Sequence, residues 1–191
     1  MFPSLKKILF WQSKKDFLVV FDHDFWGEIA LVFLNYSIWL FFFIVSYTLI
    51  RFDINFFGRL FIATIIAELV EKYLKKKCLW SRPMFSRRKI APNGLVNNWY
   101  CSGSFPSGHT IKTVFFLLFI IFSNVFYLPL FLIITIPLLT FRVLVGFHYP
   151  IDIFGGILFG IIIWFLTKNI IFPDSLNNIV SFIFNTIFFI K

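Results

Sequence analysis

Long apolar segments alternate with short polar clusters along this chain. Residues 29–50 contain no charged side chain and are long enough to cross a bilayer as a helix. Further apolar segments follow at residues 56–74, 107–125, 127–141 and 151–171, and a shorter one covers residues 179–190. The shorter segment is either an interfacial helix or a tilted sixth span. The pattern therefore predicts an all-α fold, a polytopic membrane helical bundle of five to six transmembrane helices.

Residues 1–26 differ from the rest of the chain because lysines and aromatic side chains alternate there. This segment is too polar to span a membrane and is predicted to lie along its surface. His23 stands between two aspartates, but a metal site needs more ligands in a fixed geometry, so a solvated turn is the preferred interpretation. Residues 27–191 show no linker and no repeat, and they are predicted to form one transmembrane domain.

The composition is typical of a membrane protein and indicates which class of molecule it binds. Of the 191 residues, 59% are hydrophobic and 14% are charged, and the mean hydropathy is +0.86. The net charge of +9 favours basic loops beside anionic lipid, and so little soluble surface makes nucleic acid a poor alternative. Cys78 and Cys101 are the only cysteines, too few for a metal site, and two free thiols are preferred over a single disulfide.

Three polar clusters lie at the ends of the apolar segments. They are the loop of residues 75–105, the turn of residues 104–110, and residues 142–152. Two predicted spans separate the turn from the third cluster, so all three clusters are expected on the same side of the membrane. Within the loop, Trp80 and Trp99 are predicted to anchor the chain at the level of the lipid headgroups.

Two histidines and one aspartate in these clusters have the spacing for nucleophilic and acid–base chemistry. His148 and Asp152 are four residues apart, so one helical turn or a compact loop brings the carboxylate to the imidazole. A carboxylate on one ring nitrogen fixes the tautomer and frees the other nitrogen to attack. His109 can then protonate a leaving oxygen.

The same clusters contain groups that bind phosphate. Arg82 and Arg142 carry guanidinium groups that match phosphate oxygens, and Lys75 adds a compact positive charge. Ser107 can cap a helix that begins near Gly108, and the free N–H groups and positive dipole end of such a helix suit an anion. Nothing in this set requires a metal or another cofactor, and the carboxylates are too few for a two-metal site. Together these residues predict phosphoryl transfer.

Other charged residues near the clusters have structural interpretations. Glu68 and Glu71 precede Lys72 and Lys75 by four residues, which is the favourable order for salt bridges along one helix. Lys75 can therefore pair with Glu71 or bind phosphate, and phosphate binding is the preferred interpretation. Lys112 is predicted to extend to the membrane interface rather than to touch a substrate.

At these residues the chain resembles the type 2 phosphatidic acid phosphatases, the PAP2 family, which includes lipid phosphate phosphatases and bacterial undecaprenyl-diphosphatases. The family motif Lys-x6-Arg-Pro matches residues 75–83, and Pro-Ser-Gly-His matches residues 106–109. The third motif, Ser-Arg-x5-His-x3-Asp, matches residues 142–152, but Phe141 stands at the position of its serine. Three motifs in order, each with the family's internal spacing, make the resemblance specific.

The resemblance implies a role for each matching residue. His148 is expected to be the nucleophile that forms a phosphohistidine, with Asp152 orienting it and His109 as the general acid. The expected phosphate ligands are Lys75, Arg82, Ser107, Gly108 and Arg142. It implies no metal and no cofactor, and a substrate that enters from the bilayer. Undecaprenyl diphosphate is the first choice of substrate because the chain is short, and phosphatidic acid, phosphatidylglycerol phosphate and a lipid A phosphate stay open.

The location that follows is a multi-pass protein of the bacterial cytoplasmic membrane, with the oligomeric state open. The positive-inside rule would place the site in the cytoplasm, but the basic loop residues can serve the substrate instead, and the best-known bacterial relatives face outward. Both orientations therefore stay open. An anion transporter or channel is a remote alternative, because the predicted fourth and fifth spans lack the charges at mid-depth that an ion path would need.

Overall fold

The computed structural model describes residues 5–13, 25–52, 54–84, 102–124 and 126–187, and the regular structure within these ranges is entirely helical. The helices are α1 (Leu5–Leu9), α2 (Phe25–Phe52), α3 (Ile54–Lys77), α4 (Gly108–Ser123), α5 (Leu128–Val145), α6 (Pro150–Thr167) and α7 (Asp174–Ile187). The predicted all-α membrane bundle is therefore confirmed. Residues 14–24, with His23, and residues 85–101, with Arg87, Trp99 and Cys101, lie outside the described ranges. The predicted division at residue 26 stays a prediction.

Each predicted span corresponds to one helix from α2 to α6. By length and composition, α2, α5 and α6 are able to cross a membrane. Helix α3 is 24 residues long but carries charged side chains, and α4 is apolar but only 16 residues long. Both helices pack against α6 and against each other, and the charges of Lys112 on α4 and Glu71 on α3 meet between them, whereas Glu68 of α3 is exposed.

Helix α5 is longer than its apolar pattern predicts. The pattern ends at Phe141, whereas the helix continues to Val145 and ends at Gly146, whose φ of 91° is left-handed. Arg142 therefore lies in the last helical turn, only 7% exposed, and not in the loop that follows. The helix can continue through this arginine because other parts of the chain supply partners for its guanidinium group.

Helix α4 forms the centre of the bundle. It packs against α3, α5 and α6, and the ring of its Phe116 stacks on Phe42 of α2 with a centroid distance of 4.1 Å. Ile111, Phe115 and Phe119 of this helix are buried in the hydrophobic core. Because α4 is surrounded on several sides, its first turn is held in a fixed place at one end of the bundle.

Two glycines of α6 allow it to approach α4 closely. A Cβ atom added at Gly156 would lie 2.9 Å from the carbonyl oxygen of Ser107, and one added at Gly160 would lie 2.8 Å from that of Ile111. No larger side chain fits at these positions without moving a helix. These close contacts fix the start of α6 beside the start of α4.

The last helix, α7, lies at the opposite end of the bundle. Its Phe184 ring contacts Tyr47 of α2 at a centroid distance of 5.3 Å, and Asn177 donates a hydrogen bond to Asn55 at 3.1 Å. The 14 residues from Asp174 to Ile187, where the described part of the chain ends, form about 21 Å of helix. One buried ring on a helix with exposed Ile179 and Phe182 is typical of an interfacial helix.

Replacing Gly160 by alanine should weaken the packing of α4 against α6. The added Cβ would lie 2.7 Å from the Cβ of Val114, so the helices must move apart. Such overpacking typically costs about 1–3 kcal/mol. Thermal unfolding of the detergent-solubilised protein, followed by circular dichroism, measures the loss. Leu158→Ala, on the exposed side of the same helix, is the control, and a Gly160→Ala protein as stable as the control would contradict the close contact.

Candidate active site

The three polar clusters meet at one end of the bundle, where α3 ends and α4 and α6 begin. The backbone N–H of Ser107 donates to the carbonyl oxygen of Asp152 at 3.0 Å, which joins the start of α4 to the start of α6. The N–H of Ser104 donates to the carbonyl oxygen of Trp80 at 3.1 Å, which joins the two ends of the long polar loop. The candidate residues from all three clusters are therefore neighbours in space.

A tight turn between α5 and α6 places His148. Gly146 ends α5 in the left-handed conformation, and its carbonyl oxygen accepts a hydrogen bond from the N–H of Met84 at 3.0 Å. A Cβ at Gly146 would lie 3.3 Å from the Met84 nitrogen, so glycine is favoured here by both conformation and space. The N–H groups of Phe147 and His148 both turn back to the carbonyl oxygen of Arg142. The turn directs the imidazole of His148 into the protein.

The His148 side chain is fully buried, and one ring nitrogen has a fixed partner. Its Nδ1 lies 2.9 Å from the carbonyl oxygen of Ser104. A carbonyl oxygen only accepts, so Nδ1 carries the proton and Nε2 has the free electron pair. Nε2 is buried without a hydrogen-bond partner in the part of the chain that the structure describes. Burial, and then the charges of Arg82 and Arg142, hold the pKa of this imidazole well below 6.5, so the ring is neutral at neutral pH.

Asp152 lies beside His148 and is held by several donors. Its Oδ2 is 3.5 Å from Nδ1 of His148 and accepts the N–H of Tyr149 at 2.7 Å and the hydroxyl of Ser104. Its Oδ1 accepts the indole N–H of Trp80 at 2.9 Å. Ser104 is therefore a second partner of the ring beside Asp152, and the orienting role of Asp152 stays a prediction. The Ser104 carbonyl fixes the tautomer, because it is closer, and the carboxylate supplies a negative charge nearby.

Trp80 contacts the candidate site, and its predicted place at the level of the lipid headgroups stays a prediction. Its indole N–H binds Asp152, and its ring contacts Phe10, just after α1, and Phe105 at centroid distances of 5.3 and 5.1 Å. Phe10 also contacts Tyr149 at 5.3 Å, so part of the N-terminal segment packs at the site end of the bundle. Trp80 is therefore a partner of the candidate site as well as an aromatic residue of the loop.

Two arginines are buried near His148, each with donors to spare. Arg82 donates to the carbonyl oxygen of Phe147 at 3.3 Å and to the Ser102 hydroxyl at 2.9 Å. Arg142 donates to the side-chain oxygen of Asn35. The Nε atoms of both arginines have no hydrogen-bond partner among the described residues. Burial lowers the pKa of Arg82 to about 10, so it remains charged at neutral pH and is able to bind an anion.

Asn35 of α2 joins Arg142 to His109. Its side-chain oxygen accepts from Arg142, and its backbone carbonyl oxygen lies 3.1 Å from Nε2 of His109, which must therefore carry a proton. The Asn35 side chain is 5% exposed. The sequence analysis did not single out this residue, although it is the only amide side chain among residues 29–50. A buried amide in an apolar span needs a hydrogen-bond partner, so the sequence does contain a feature from which a role for Asn35 could be predicted.

The first turn of α4 has the predicted cap. The Ser107 hydroxyl accepts from the N–H of Thr110 at 3.4 Å and from its hydroxyl at 2.9 Å. Gly108 follows, and a Cβ added there would overlap the carboxylate of Glu71. Glycine at this position therefore leaves room for an anionic group against the N-terminus of the helix.

Lys75 and Lys112 both contact carboxylates of α3. Lys75 forms the predicted salt bridge with Glu71. Lys112 is 3% exposed, and its Nζ lies 2.8 Å from carboxylate oxygens of both Glu68 and Glu71. The prediction that Lys112 extends to the interface is wrong, because two acids from a neighbouring helix stabilise its charge inside the bundle. Within the described residues, no three histidine, cysteine or acidic side chains are grouped so that they could hold a metal ion.

Phe141, at the position of the motif's serine, packs into a small apolar cluster. The other members are Leu31, Met84, Val145 and Phe147. Phe147 also lies under Arg142, with the guanidinium carbon 5.4 Å from the ring centroid. Phe141 therefore replaces a hydroxyl group with apolar contacts that support the wall of the site.

Comparison with known families agrees with this geometry. The model of the PAP2 superfamily matches residues 56–175, more than half of the chain, and this range contains α4 to α6 and most of α3. No curated protein and no solved structure matches the chain. A match of this extent, over the helices that carry the motifs, shows that this membrane protein belongs to the PAP2 superfamily.

Proposed function

We propose that this membrane phosphatase removes the terminal phosphate of a lipid phosphate or diphosphate through a covalent intermediate on His148. The observation that carries the proposal is the state of the imidazole. It is neutral, its proton is held at Nδ1 by the Ser104 carbonyl, and its Nε2 is buried without a partner among the described residues. A nitrogen with a free electron pair beside buried arginines is the arrangement that an attack on phosphorus requires.

In the first step, Nε2 of His148 forms a bond to phosphorus, and the bond from phosphorus to the lipid oxygen breaks. The leaving oxygen takes a proton from His109, which enters the step as an imidazolium: its Nε2–H stays with the Asn35 carbonyl oxygen, and the proton that is given comes from Nδ1. The His148 ring keeps its proton at Nδ1 and therefore gains a positive charge. Asp152 lies 3.5 Å from Nδ1 and stabilises that charge. The interaction energy of two opposite unit charges near 4 Å is about 4 kcal/mol at an effective dielectric constant of 20.

In the second step, water attacks the phosphorus of the intermediate and the bond to Nε2 breaks. The water gives one proton to His109, and His148 returns to its neutral form. The sum of both steps is lipid phosphate and water giving lipid alcohol and inorganic phosphate, or lipid diphosphate and water giving lipid monophosphate and inorganic phosphate. Arg82 and Arg142, with Lys75 and the first turn of α4, neutralise the phosphate oxygens throughout.

The substrate class follows from the position of the site. The groups that would bind phosphate lie at one end of an apolar bundle, where a lipid phosphate places its head while its chains stay in the bilayer. The chain supplies the charge neutralisation from lysine and arginine, so the proposal includes no metal step. Undecaprenyl diphosphate remains the first substrate to test, followed by phosphatidic acid, phosphatidylglycerol phosphate and a lipid A phosphate.

The purified protein in detergent should release inorganic phosphate from at least one of these lipids with a chelator present. His148→Ala should lower the rate by about 10⁴-fold or more, because the nucleophile is lost. The wild type, quenched with alkali during turnover, should carry an acid-labile phosphate that the variant lacks. Thr140→Ala, an exposed change on α5, controls for purification. Full turnover by a folded His148→Ala protein would rule out the assigned nucleophile.

Asp152→Asn should lower kcat by about 10²-fold or more with little change in KM. The amide has nearly the same size but lacks the charge that stabilises the His148 ring in the transition state. Steady-state kinetics with kcat and KM separated is the measurement. Asp174→Asn at the exposed start of α7 is the matched control. An unchanged kcat in Asp152→Asn would show that the carboxylate only supports the fold.

The lowered pKa of His148 predicts a dependence of stability on pH. The unfolded imidazole takes up a proton near pH 6.5, while the folded one does so only at lower pH, so acid favours unfolding. The contribution of His148 is fully present above pH 6.5 and falls by up to about 1.4 kcal/mol per pH unit below it. From pH 7 to pH 5, the wild type should therefore lose more thermal stability than His148→Gln. Equal losses would contradict the buried neutral state.

A further inference from the structure

The carboxylate of Glu71 contacts groups that the proposed mechanism assigns to the substrate phosphate. It contacts Lys75 and Lys112 and covers Gly108 at the N-terminus of α4, at the point where a Cβ would collide with it. Glu71 is 13% exposed, although it comes from α3 and not from any of the three motif clusters. An anion at this place gains from the free N–H groups and the dipole of α4, and so would a phosphate.

The charge of Glu71 acts on the rest of the site. Among the charges that stabilise protonated Arg82, that of Glu71 has the largest effect. It opposes the lowering of the Arg82 pKa by burial. Its negative charge also acts on the His148 imidazole. There it raises the pKa, whereas the two arginines lower it. The carboxylate therefore belongs electrostatically to the cation cluster of Lys75, Arg82, Lys112 and Arg142.

The cation cluster needs such an anion. The four cations of the cluster are between 3% and 19% exposed, and like charges at one apolar end of a bundle repel each other strongly. Asp152 is occupied by Ser104, Tyr149 and Trp80. Glu71 is the acid that contacts two of the cations directly while remaining largely buried.

We infer that Glu71 is an internal anion that takes the place of the substrate phosphate and gives up Lys75 to that phosphate when the lipid binds. The inference rests on the proposed function, because it assigns the position that the mechanism gives to phosphate. Lys112 has a second carboxylate, Glu68, 53% exposed and one helical turn from Glu71. The charge of Lys112 therefore stays paired after Glu71 has moved.

An internal anion also makes the site selective for charge. A terminal phosphate monoester carries close to two negative charges at neutral pH, whereas the diester phosphate of an ordinary membrane lipid carries one. The monoester competes well against a single carboxylate at a site of four cations, and the diester competes poorly. Glu71 thus excludes the abundant phosphodiester headgroups of the surrounding membrane from the cation cluster.

The test compares Glu71→Gln with the wild type and with Glu68→Gln, which removes the exposed acid from the same lysine. The probe is inorganic phosphate, and its affinity is read from the rise of the thermal midpoint of the detergent-solubilised protein. Glu71→Gln should bind phosphate about tenfold more tightly or better. Glu68→Gln should differ much less from the wild type. Equal or weaker phosphate binding by Glu71→Gln would overturn the inference.

A second measurement tests selectivity with mixed micelles that contain phosphatidylglycerol, a phosphodiester lipid. Added phosphatidylglycerol should compete with inorganic phosphate in Glu71→Gln and have little effect in the wild type. If Glu71→Gln does not fold, Glu71→Asp replaces it, since the shorter side chain keeps the charge but withdraws it from Gly108. This variant should bind phosphate more tightly than the wild type, and unchanged affinity would overturn the inference.

The binding measurements separate this inference from the proposed function, because they need no turnover. If Glu71→Gln binds phosphate more tightly while no protein releases phosphate from a lipid, the internal anion stands and the hydrolase mechanism fails. If lipid hydrolysis depends on His148 but phosphate affinity does not depend on Glu71, the mechanism stands and the internal anion fails.

Discussion

The concentration of positive charge at one end of an apolar bundle is the constraint on which the rest of this structure depends. Lysine and arginine side chains lose much of their hydration there, so each needs a partner from the protein. The partners come from distant parts of the chain: Asn35 from α2, Glu71 from α3, and the Phe147 carbonyl from the turn before α6. The positions of the helices therefore follow from the need to neutralise the site as much as from the burial of apolar surface.

The sequence predicted the helices and the meeting of the three clusters because both depend on local or countable features. An apolar run of sufficient length predicts a span, and counting spans places their ends on one side. The motif spacing likewise identified His109, His148 and Asp152 as neighbours in space, although their chemical roles stay proposals. None of these predictions depends on which helices contact each other.

The partners that the sequence did not predict are those that depend on contacts between helices. Ser104 binds His148 through its backbone carbonyl, and a backbone group gives no signal in a sequence. Lys112 was expected at the interface because the pattern of its own helix does not reveal Glu68 and Glu71 on the neighbouring one. Arg142 was expected just after the apolar segment because a charge ends an apolar pattern, whereas a partner on another helix allows the charge to be buried within α5.

The position of Asn35 has a mechanical consequence. One residue of α2 supports both His109, through its backbone, and Arg142, through its side chain. A sliding movement of α2 by the rise of one helical residue, about 1.5 Å, would lengthen a hydrogen bond of 3.1 Å beyond its effective range. The thickness of the surrounding lipid acts on the height of α2, so the contacts of His109 and Arg142 with Asn35 would change together when the lipid changes.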